Sequence, residues 1–154
     1  CLSTLHANNT NQTLDRIINF FPADQRQHIL MDLSLNLKAV VSQRLIPKIG
    51  GGQIAAVEVL INTPRIAELI FSGKVNEIKQ LMQNSNALGM QTFDQALFDL
   101  YENGLITYKD ALRGADSMND LRLNIKLNSK LPQPQESSNN DPAADSISFS
   151  LKTD

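Results

Sequence analysis

Apolar side chains recur at helical spacing twice near the start of the chain. A stripe of apolar positions that begins near Gln12 predicts a helix, and Pro22 ends the pattern. A second stripe predicts a longer helix over roughly residues 24–41. Its apolar positions are Ile29, Leu30, Leu33, Leu37, Val40 and Val41. Ahead of both helices, residues 1–5 are mostly apolar and the sequence turns polar at His6, a pattern typical of a buried strand that ends in a loop.

A glycine cluster separates two runs that are apolar or β-branched. Residues 41–46 and 53–61 are typical of strands, and Gly50, Gly51 and Gly52 lie in the link between them. The sequence therefore predicts a β-hairpin at this point.

The second half of the chain carries several helix-start signals. Thr63 followed by Pro64 predicts a short helix that runs to Gly73, and a longer helix is expected to follow. Three further starts have a hydroxyl residue followed three places later by an acid or an amide. These pairs are Thr92 with Gln95, Thr107 with Asp110, and Ser117 with Asp120. Gly89 and Gly104 are expected helix ends, so this half is predicted to be helical.

The composition changes beyond Leu131. Prolines and polar residues dominate, and they leave too few apolar groups to offset the entropy of ordering the chain. The segment is also acidic. Its four carboxylates are Glu136, Asp141, Asp145 and Asp154, against the one base Lys152. We therefore predict a disordered acidic tail.

Composition and charge narrow the class of protein. The 154 residues are 42% apolar, which is enough for a globular domain with a core. Lys and Arg total 14 against 16 Asp and Glu, so charge does not favour nucleic acid or an anionic membrane as a partner. Cys1 is the single cysteine and excludes an internal disulfide. No apolar run approaches the roughly 20 residues of a spanning helix, so membrane insertion is not expected.

The chain has no nucleotide-binding loop of the P-loop type. That motif needs Gly-x-x-x-x-Gly-Lys-Ser/Thr, whose backbone amides surround the phosphate groups. The glycines at 50–52 precede a strand and lack the following lysine, and Gly73 with Lys74 lacks the upstream glycine. We interpret the glycine cluster as a hairpin turn.

His6 and Thr4 place an imidazole and a hydroxyl at the end of the first predicted strand. Ligands bind at such strand ends in α/β proteins, but a purely structural histidine is also open. Asp15 and Arg16 are candidates for a solvated or subunit-interface pair, with a catalytic contribution as the alternative. Arg44 borders the hairpin, and two roles are open for it. It could be an ordinary surface charge, or it could contact a neighbouring subunit's nucleotide at an interface.

Several segments resemble one family of motor proteins. Residues 2–9 (LSTLHANN) resemble the histidine box of type II and type IV secretion ATPases, and residues 14–22 (LDRIINFFP) continue as that family does. Further segments resemble the core of the PilT/PilU family. They are residues 41–45 (VSQRL), 55–60 (AAVEVL), 62–64 (NTP) and 88–94 (LGMQTFD). Over about residues 1–127 the chain is therefore similar to the type IV pilus retraction ATPases of the PilT/PilU family.

Within this family the resemblance favours the PilU branch. The segments that favour it are residues 32–37 (DLSLNL), 96–100 (ALFDL) and 119–123 (NDLRL). Where PilT proteins carry a helix with the sequence AIRNLIRE that is important for retraction, this chain has RIAELIFS at residues 65–72. This departure favours an accessory motor over an independent retraction motor.

The resemblance implies a homohexameric RecA-like ATPase that hydrolyses ATP with Mg²⁺ in the cytoplasm, at the inner-membrane face of the pilus machine. It implies a PilT-like ATPase and the inner-membrane platform protein as partners. His6 would lie near the γ-phosphate, and Thr4 would help to position it. The P-loop, the acidic box and the Walker B carboxylate would lie upstream of Cys1, which we expect to be an internal residue of a longer protein. The isolated chain is then expected not to hydrolyse ATP.

The expected fold class is α/β, with three parts. Residues 1–62 would be part of a RecA-like core with few strands, residues 63–127 a helical C-terminal subdomain, and residues 128–154 the disordered acidic tail. Two other functions stay open. One is a non-catalytic module that binds the retraction motor. The other is a fragment of an extension or type II secretion ATPase, although those usually insert a zinc-binding segment of four cysteines.

Overall fold

The computed structural model describes residues 1–132, which form one antiparallel strand pair and a set of short helices. The first part contains α1 (Thr10–Asn19), α2 (Arg26–Asn36), β1 (Ala39–Pro47) and β2 (Gln53–Ile61). The second part contains α3 (Pro64–Phe71), α4 (Val75–Gln83), α5 (Phe93–Glu102), α6 (Tyr108–Gly114) and α7 (Met118–Asn128). The expected mixture of helices and a small sheet is confirmed. The predicted tail lies outside the described residues from position 133 onward.

The predicted hairpin is present as β1 and β2. The strands pair antiparallel from Ala39 opposite Ile61 to Pro47 opposite Gln53. The link contains Gly50, Gly51 and Gly52 with φ values of 89°, 106° and 76°, which L side chains rarely adopt. The glycine cluster is therefore a turn, as the sequence predicts.

The two faces of the hairpin differ. One face is buried under the helices, and it carries Ile46, Ala56 and Leu60. The other face leaves Val41 and Leu45 exposed. Alternation of this kind is what a sheet covered on one side requires.

Two apolar clusters hold the helices against the covered face of the hairpin. The first joins α1, β2, α3 and α4, and its buried members are Leu14, Leu60, Ile66, Leu69, Ile70, Val75, Ile78, Met82 and Met90. The second joins the hairpin to α5, α6 and α7. Its buried members are Ile46, Ala56, Phe93, Ala96, Leu97, Tyr101, Ile106, Ala111, Leu112, Leu121 and Ile125. The first cluster therefore contains residues from both sides of the predicted boundary at 62/63, and the division into 1–62 and 63–127 stays a prediction.

The predicted helix starts are confirmed. The Thr63 hydroxyl accepts the backbone N–H of Ile66 at the start of α3. At the start of α5, Thr92 and Gln95 form a reciprocal capping box. The hydroxyl groups of Thr107 and Ser117 cap α6 and α7, and each accepts the backbone N–H three residues on.

Two expectations are wrong. Residues 1–5 form no strand, because the two described strands pair with each other and no partner strand lies beside this segment in residues 1–132. The helix expected over 24–41 ends at Asn36, where the side-chain amide of Asn62 donates to the carbonyls of Ser34 and Leu37. The following residues join β1 because they gain ladder hydrogen bonds with β2.

Candidate functional site

The candidate site begins in the irregular segment before α1, which we call the His6 loop (residues 4–9). The side chains of Thr4 and His6 are exposed. The loop ends at Asn9, whose side chain accepts the backbone N–H of Gln12 and so caps α1. The structure thus presents the imidazole and the hydroxyl to solvent, close in sequence to a fixed helix start.

Two hydrogen bonds attach the end of the His6 loop to distant parts of the fold. Arg44 on β1 donates from Nη2 to the carbonyl oxygen of Asn8, 2.9 Å away. Asn9 donates from Nδ2 to Oδ2 of Asp116, 3.3 Å away, in the link between α6 and α7. The loop is therefore joined both to the hairpin and to the last two helices.

Arg44 and Asp116 belong to a half-buried group of four charges. The group comprises Arg44, Lys79, Asp94 and Asp116, and we call it the charge network. Arg44 Nη2 lies 2.5 Å from Asp116 Oδ1, and Lys79 Nζ lies 3.2 Å from a carboxylate oxygen of both Asp94 and Asp116. Both carboxylates are only 9% exposed. Two cations and two anions balance one another, as partly buried charges require.

Further contacts hold the charge network in place. Arg44 Nη1 donates to the carbonyl of Gly114 at 2.6 Å, and its guanidinium lies 4.0 Å from the centre of the Phe93 ring. The backbone N–H of Asp116 donates to Asp94 Oδ1 at 2.8 Å. These contacts fix the α6–α7 link against β1, α4 and α5.

Electrostatics in the charge network follow from burial and pairing. Burial works to raise the pKa of Asp116, but the hydrogen bond from Arg44 and the charge of Lys79 outweigh it and hold that pKa below its ordinary value. Burial works to lower the pKa of Lys79, but the neighbouring carboxylates of Asp94 and Asp116 leave it raised. Asp116 and Lys79 are therefore held in their charged forms near neutral pH.

Glu58 on β2 is a second anchor for the start of α1. Its side chain is 2% exposed and accepts the backbone N–H of Thr10 at 2.7 Å. Burial raises the pKa of Glu58, and hydrogen bonding by Thr10 only partly opposes that shift. A buried carboxyl group on β2 thus holds the first turn of α1 in place.

A groove of about 500 Å³ opens at the junction of these elements. It is lined by Asn8, Asn9, Gln12, Arg44, Lys79, Arg113, Gly114, Ala115 and Asp116. The groove therefore lies between the His6 loop and the α6–α7 link, beside the charge network.

The predicted interface residues lie in two different places. Asp15 and Arg16 are exposed on α1, and both line a groove of about 360 Å³ with Gln12, Asn19 and Phe20. Arg44 contacts groups of its own chain, which are Asn8, Phe93, Gly114 and Asp116. A subunit interface at Asp15, Arg16 and Arg44 stays a prediction.

Sequence reasoning missed most of the residues that anchor the His6 loop. Glu58 could have been recognised from the sequence, because it is an acid at an inward position of a mostly apolar strand. Lys79, Asp94 and Asp116 lie far apart in sequence, and each is an ordinary charge in its own helix or link. Only the tertiary packing brings them together.

Two features of the chain bear on nucleotide and metal sites. The chain contains no P-loop motif, and residues 1–132 hold no group of three or more His, Cys, Asp and Glu side chains placed for a metal ion. His6 and Thr4 could supply a donor to a phosphate group only if other residues held that group in place. Within the same residues, none of the helices has the length and apolar character needed to cross a bilayer.

Comparison with known proteins gives relatives among pilus motors. The type IV pilus ATPase PilU of Pseudomonas aeruginosa is 62% identical over 131 residues, which are 84% of this chain and 34% of PilU. The type IV pilus retraction ATPase PilT of the same organism is 43% identical over 108 residues, which are 70% of this chain and 31% of PilT. No protein-family model matches the chain.

A solved structure shows the same fold. The pilus retraction motor PilT with bound ADP is 39% identical, with a TM-score of 0.68, and the match covers 75% of this chain and 32% of that chain. The hairpin with its helices is therefore part of the fold of a pilus motor ATPase. The chain belongs to the PilT/PilU family of type IV pilus ATPases, and it spans about a third of the length of the curated relatives it matches.

Proposed function

We propose that the chain is part of a ring-forming ATPase that powers type IV pilus retraction and twitching motility. The observation that carries this proposal is the 62% identity to PilU over 131 residues, which are 84% of this chain. The second relative, PilT, is a type IV pilus retraction ATPase, and the solved structure of a pilus retraction motor PilT contains bound ADP.

The catalytic part of the proposal assigns ATP with Mg²⁺ to the whole protein. Since the chain spans about a third of its relatives' length, the P-loop and the magnesium ligands would lie in the part that is not in these 154 residues. His6 would contact the γ-phosphate from the exposed loop, and Thr4 would help to hold its imidazole. Stabilisation of developing charge by a positioned donor is a large contribution to phosphoryl transfer.

The partners follow from the same proposal. The protein would form a homohexamer in the cytoplasm, where it would work with a PilT-like ATPase on the inner-membrane platform protein. The helix α3 carries Arg65 and Glu68 as an exposed salt bridge and leaves Phe71 exposed. These side chains differ from those of the PilT retraction helix, which supports an accessory role over that of a primary motor.

Deletion of the full gene tests this proposal in cells that keep an active PilT-like ATPase. An accessory motor predicts that unloaded twitching persists while the speed of pilus retraction against an opposing load falls, because fewer motors share the work. Optical trapping of single pili measures the speed of loaded retraction, and a twitching assay measures unloaded movement. Cells in which the gene is reintroduced serve as the control. Complete loss of twitching would instead indicate a primary motor, and unchanged loaded retraction would contradict a role in retraction.

A further inference from the structure

The His6 loop is joined to the helical half of the chain through few contacts. The carbonyl of Asn8 lies two residues after His6 and is held by Arg44, and the side chain of Asn9 is held by Asp116. Arg44 and Asp116 are in turn paired with each other. A change at this one ion pair therefore reaches the backbone beside the imidazole directly.

Asp116 is placed to connect several elements at once. Its Oδ1 accepts from Arg44 on β1, while its Oδ2 accepts from Lys79 on α4 and from Asn9 in the His6 loop. Its backbone N–H donates to Asp94 on α5. The residue itself lies between α6 and α7, so five parts of the fold meet at Asp116, whose side chain is 9% exposed.

The free-energy cost of breaking the contacts of Asp116 restricts movement of the His6 loop. A buried carboxylate with several charged donors is costly to disturb, because loss of one partner leaves the other charges buried and unpaired. The Arg44 guanidinium has a fixed planar shape and reaches Gly114, Asn8 and Asp116 together, which a lysine could not do. The position of the His6 loop is thus tied to the position of the α6–α7 link.

We propose that Arg44 and Asp116 are positioning residues for His6, which couple the helices α4 to α7 to the loop that carries the imidazole. This inference rests on the proposed function, in which His6 contacts the γ-phosphate. Rearrangement of the helical half would move the loop and change the rate of ATP hydrolysis. Neither residue contacts the nucleotide in this proposal.

The first part of the test measures the order of the loop in the 154-residue chain, and it does not depend on ATP hydrolysis. Asp116→Asn keeps the size of the side chain and removes its charge. We expect the NMR backbone order parameters of residues 6–9 to fall from about 0.85, typical of rigid backbone, to below about 0.6. The control Asp120→Asn removes a charge four residues on from an exposed position in α7 and should leave them unchanged.

A second variant keeps the test valid if Asp116→Asn fails to fold. Asn9→Ser retains an oxygen that can cap α1, but its hydroxyl is too short to replace the amide contact with Asp116. The charge network stays intact in this variant. The order parameters of the loop should therefore fall while the melting temperature changes little.

The second part measures ATP turnover by the full-length protein that contains this chain. Asp116→Asn and Asn9→Ser should lower kcat about tenfold with the KM for ATP changed less than about twofold, because misplacement of a transition-state contact acts on kcat. Asp120→Asn should match the wild type. Each kcat is calculated per folded enzyme molecule, so a purely structural role of Asp116, which only reduces the amount of folded enzyme, would leave kcat equal to that of the wild type.

The outcomes separate the two proposals. An ordered loop in both variants would overturn the positioning role, and so would a mobile loop with unchanged kcat. Absence of turnover in the wild-type full-length protein would contradict the proposed function instead, and the order parameters would still decide whether Asp116 holds the loop.

Discussion

Glu58 shows how one buried side chain can fix a helix start at a cost in stability. Its carboxyl group accepts the Thr10 N–H beneath α1, where a negative charge interacts favourably with the helix N-terminus. Burial still dominates, so the pKa of Glu58 lies above its ordinary value of 4.5. Ionised Glu58 therefore makes the folded state less stable than a neutral group of the same shape would.

The pKa shift gives a prediction for the pH dependence of stability. Between the ordinary pKa and the raised pKa of Glu58 the folded state binds more protons than the unfolded state, so stability falls as pH rises through this window. Glu58→Gln keeps an acceptor for Thr10 and removes the titration. The free energy of unfolding of the variant, relative to wild type, should rise with pH across the window and then level off.

Urea unfolding at a series of pH values measures this difference. Asp116 has a lowered pKa, so its contribution to stability is lost as pH falls below its ordinary value of 3.8, outside the window of Glu58. The exposed Glu68→Gln serves as the control and should show no comparable trend. A difference in unfolding free energy that stays flat or falls with pH would show that burial does not raise the pKa of Glu58.

At the scale of elements, the end of α6 packs closely on the hairpin. A Cβ added at Gly114 would lie 2.8 Å from Cδ1 of Ile46 and 3.2 Å from Cδ2 of Leu97. Both side chains are buried in the second apolar cluster, so they have little room to move. The glycine lets the α6–α7 link approach β1, which brings Asp116 within reach of Arg44.

Gly114→Ala should therefore destabilise the chain by about 1–3 kcal/mol through overpacking. Ile46→Val removes the Cδ1 atom and should cost about 0.5–1.5 kcal/mol in the wild-type background, but less or nothing in Gly114→Ala, because it relieves the clash. A double-mutant cycle from urea unfolding measures this coupling. Strictly additive effects of the two substitutions would be inconsistent with the close packing.

The sequence predicts elements well where the signal is local. The hydroxyl caps Thr63, Thr92, Thr107 and Ser117 are each followed by a helix, because their partners lie three residues away. The signal that ends α2 is not local, because Asn62, which follows β2, donates hydrogen bonds to the carbonyls of Ser34 and Leu37. Residues 1–5 have a strand pattern, but a pattern alone supplies no partner for hydrogen bonding.

At the scale of the whole molecule, the candidate site depends on packing that the sequence does not reveal. The resemblance to the family indicates His6 and Thr4 as candidate site residues, and the structure exposes both side chains to solvent in the loop before α1. Asp116 and Lys79 were not predicted, because their roles come from the meeting of α4 with the α6–α7 link. Membership of the PilT/PilU family is confirmed, while the nucleotide contacts of His6 remain a proposal.

The central proposal is that His6 contacts a phosphate group of the nucleotide in a pilus ATPase. The rate of ATP hydrolysis tests this proposal most directly. The measurement is kcat for ATP hydrolysis by the full-length protein with His6→Ala, compared with His28→Ala. His28 is the other histidine of the chain, and it is exposed on α2. Loss of a positioned donor predicts a fall in kcat of about 100-fold for His6→Ala and wild-type turnover for His28→Ala. Equal turnover by both variants and the wild type would contradict the account.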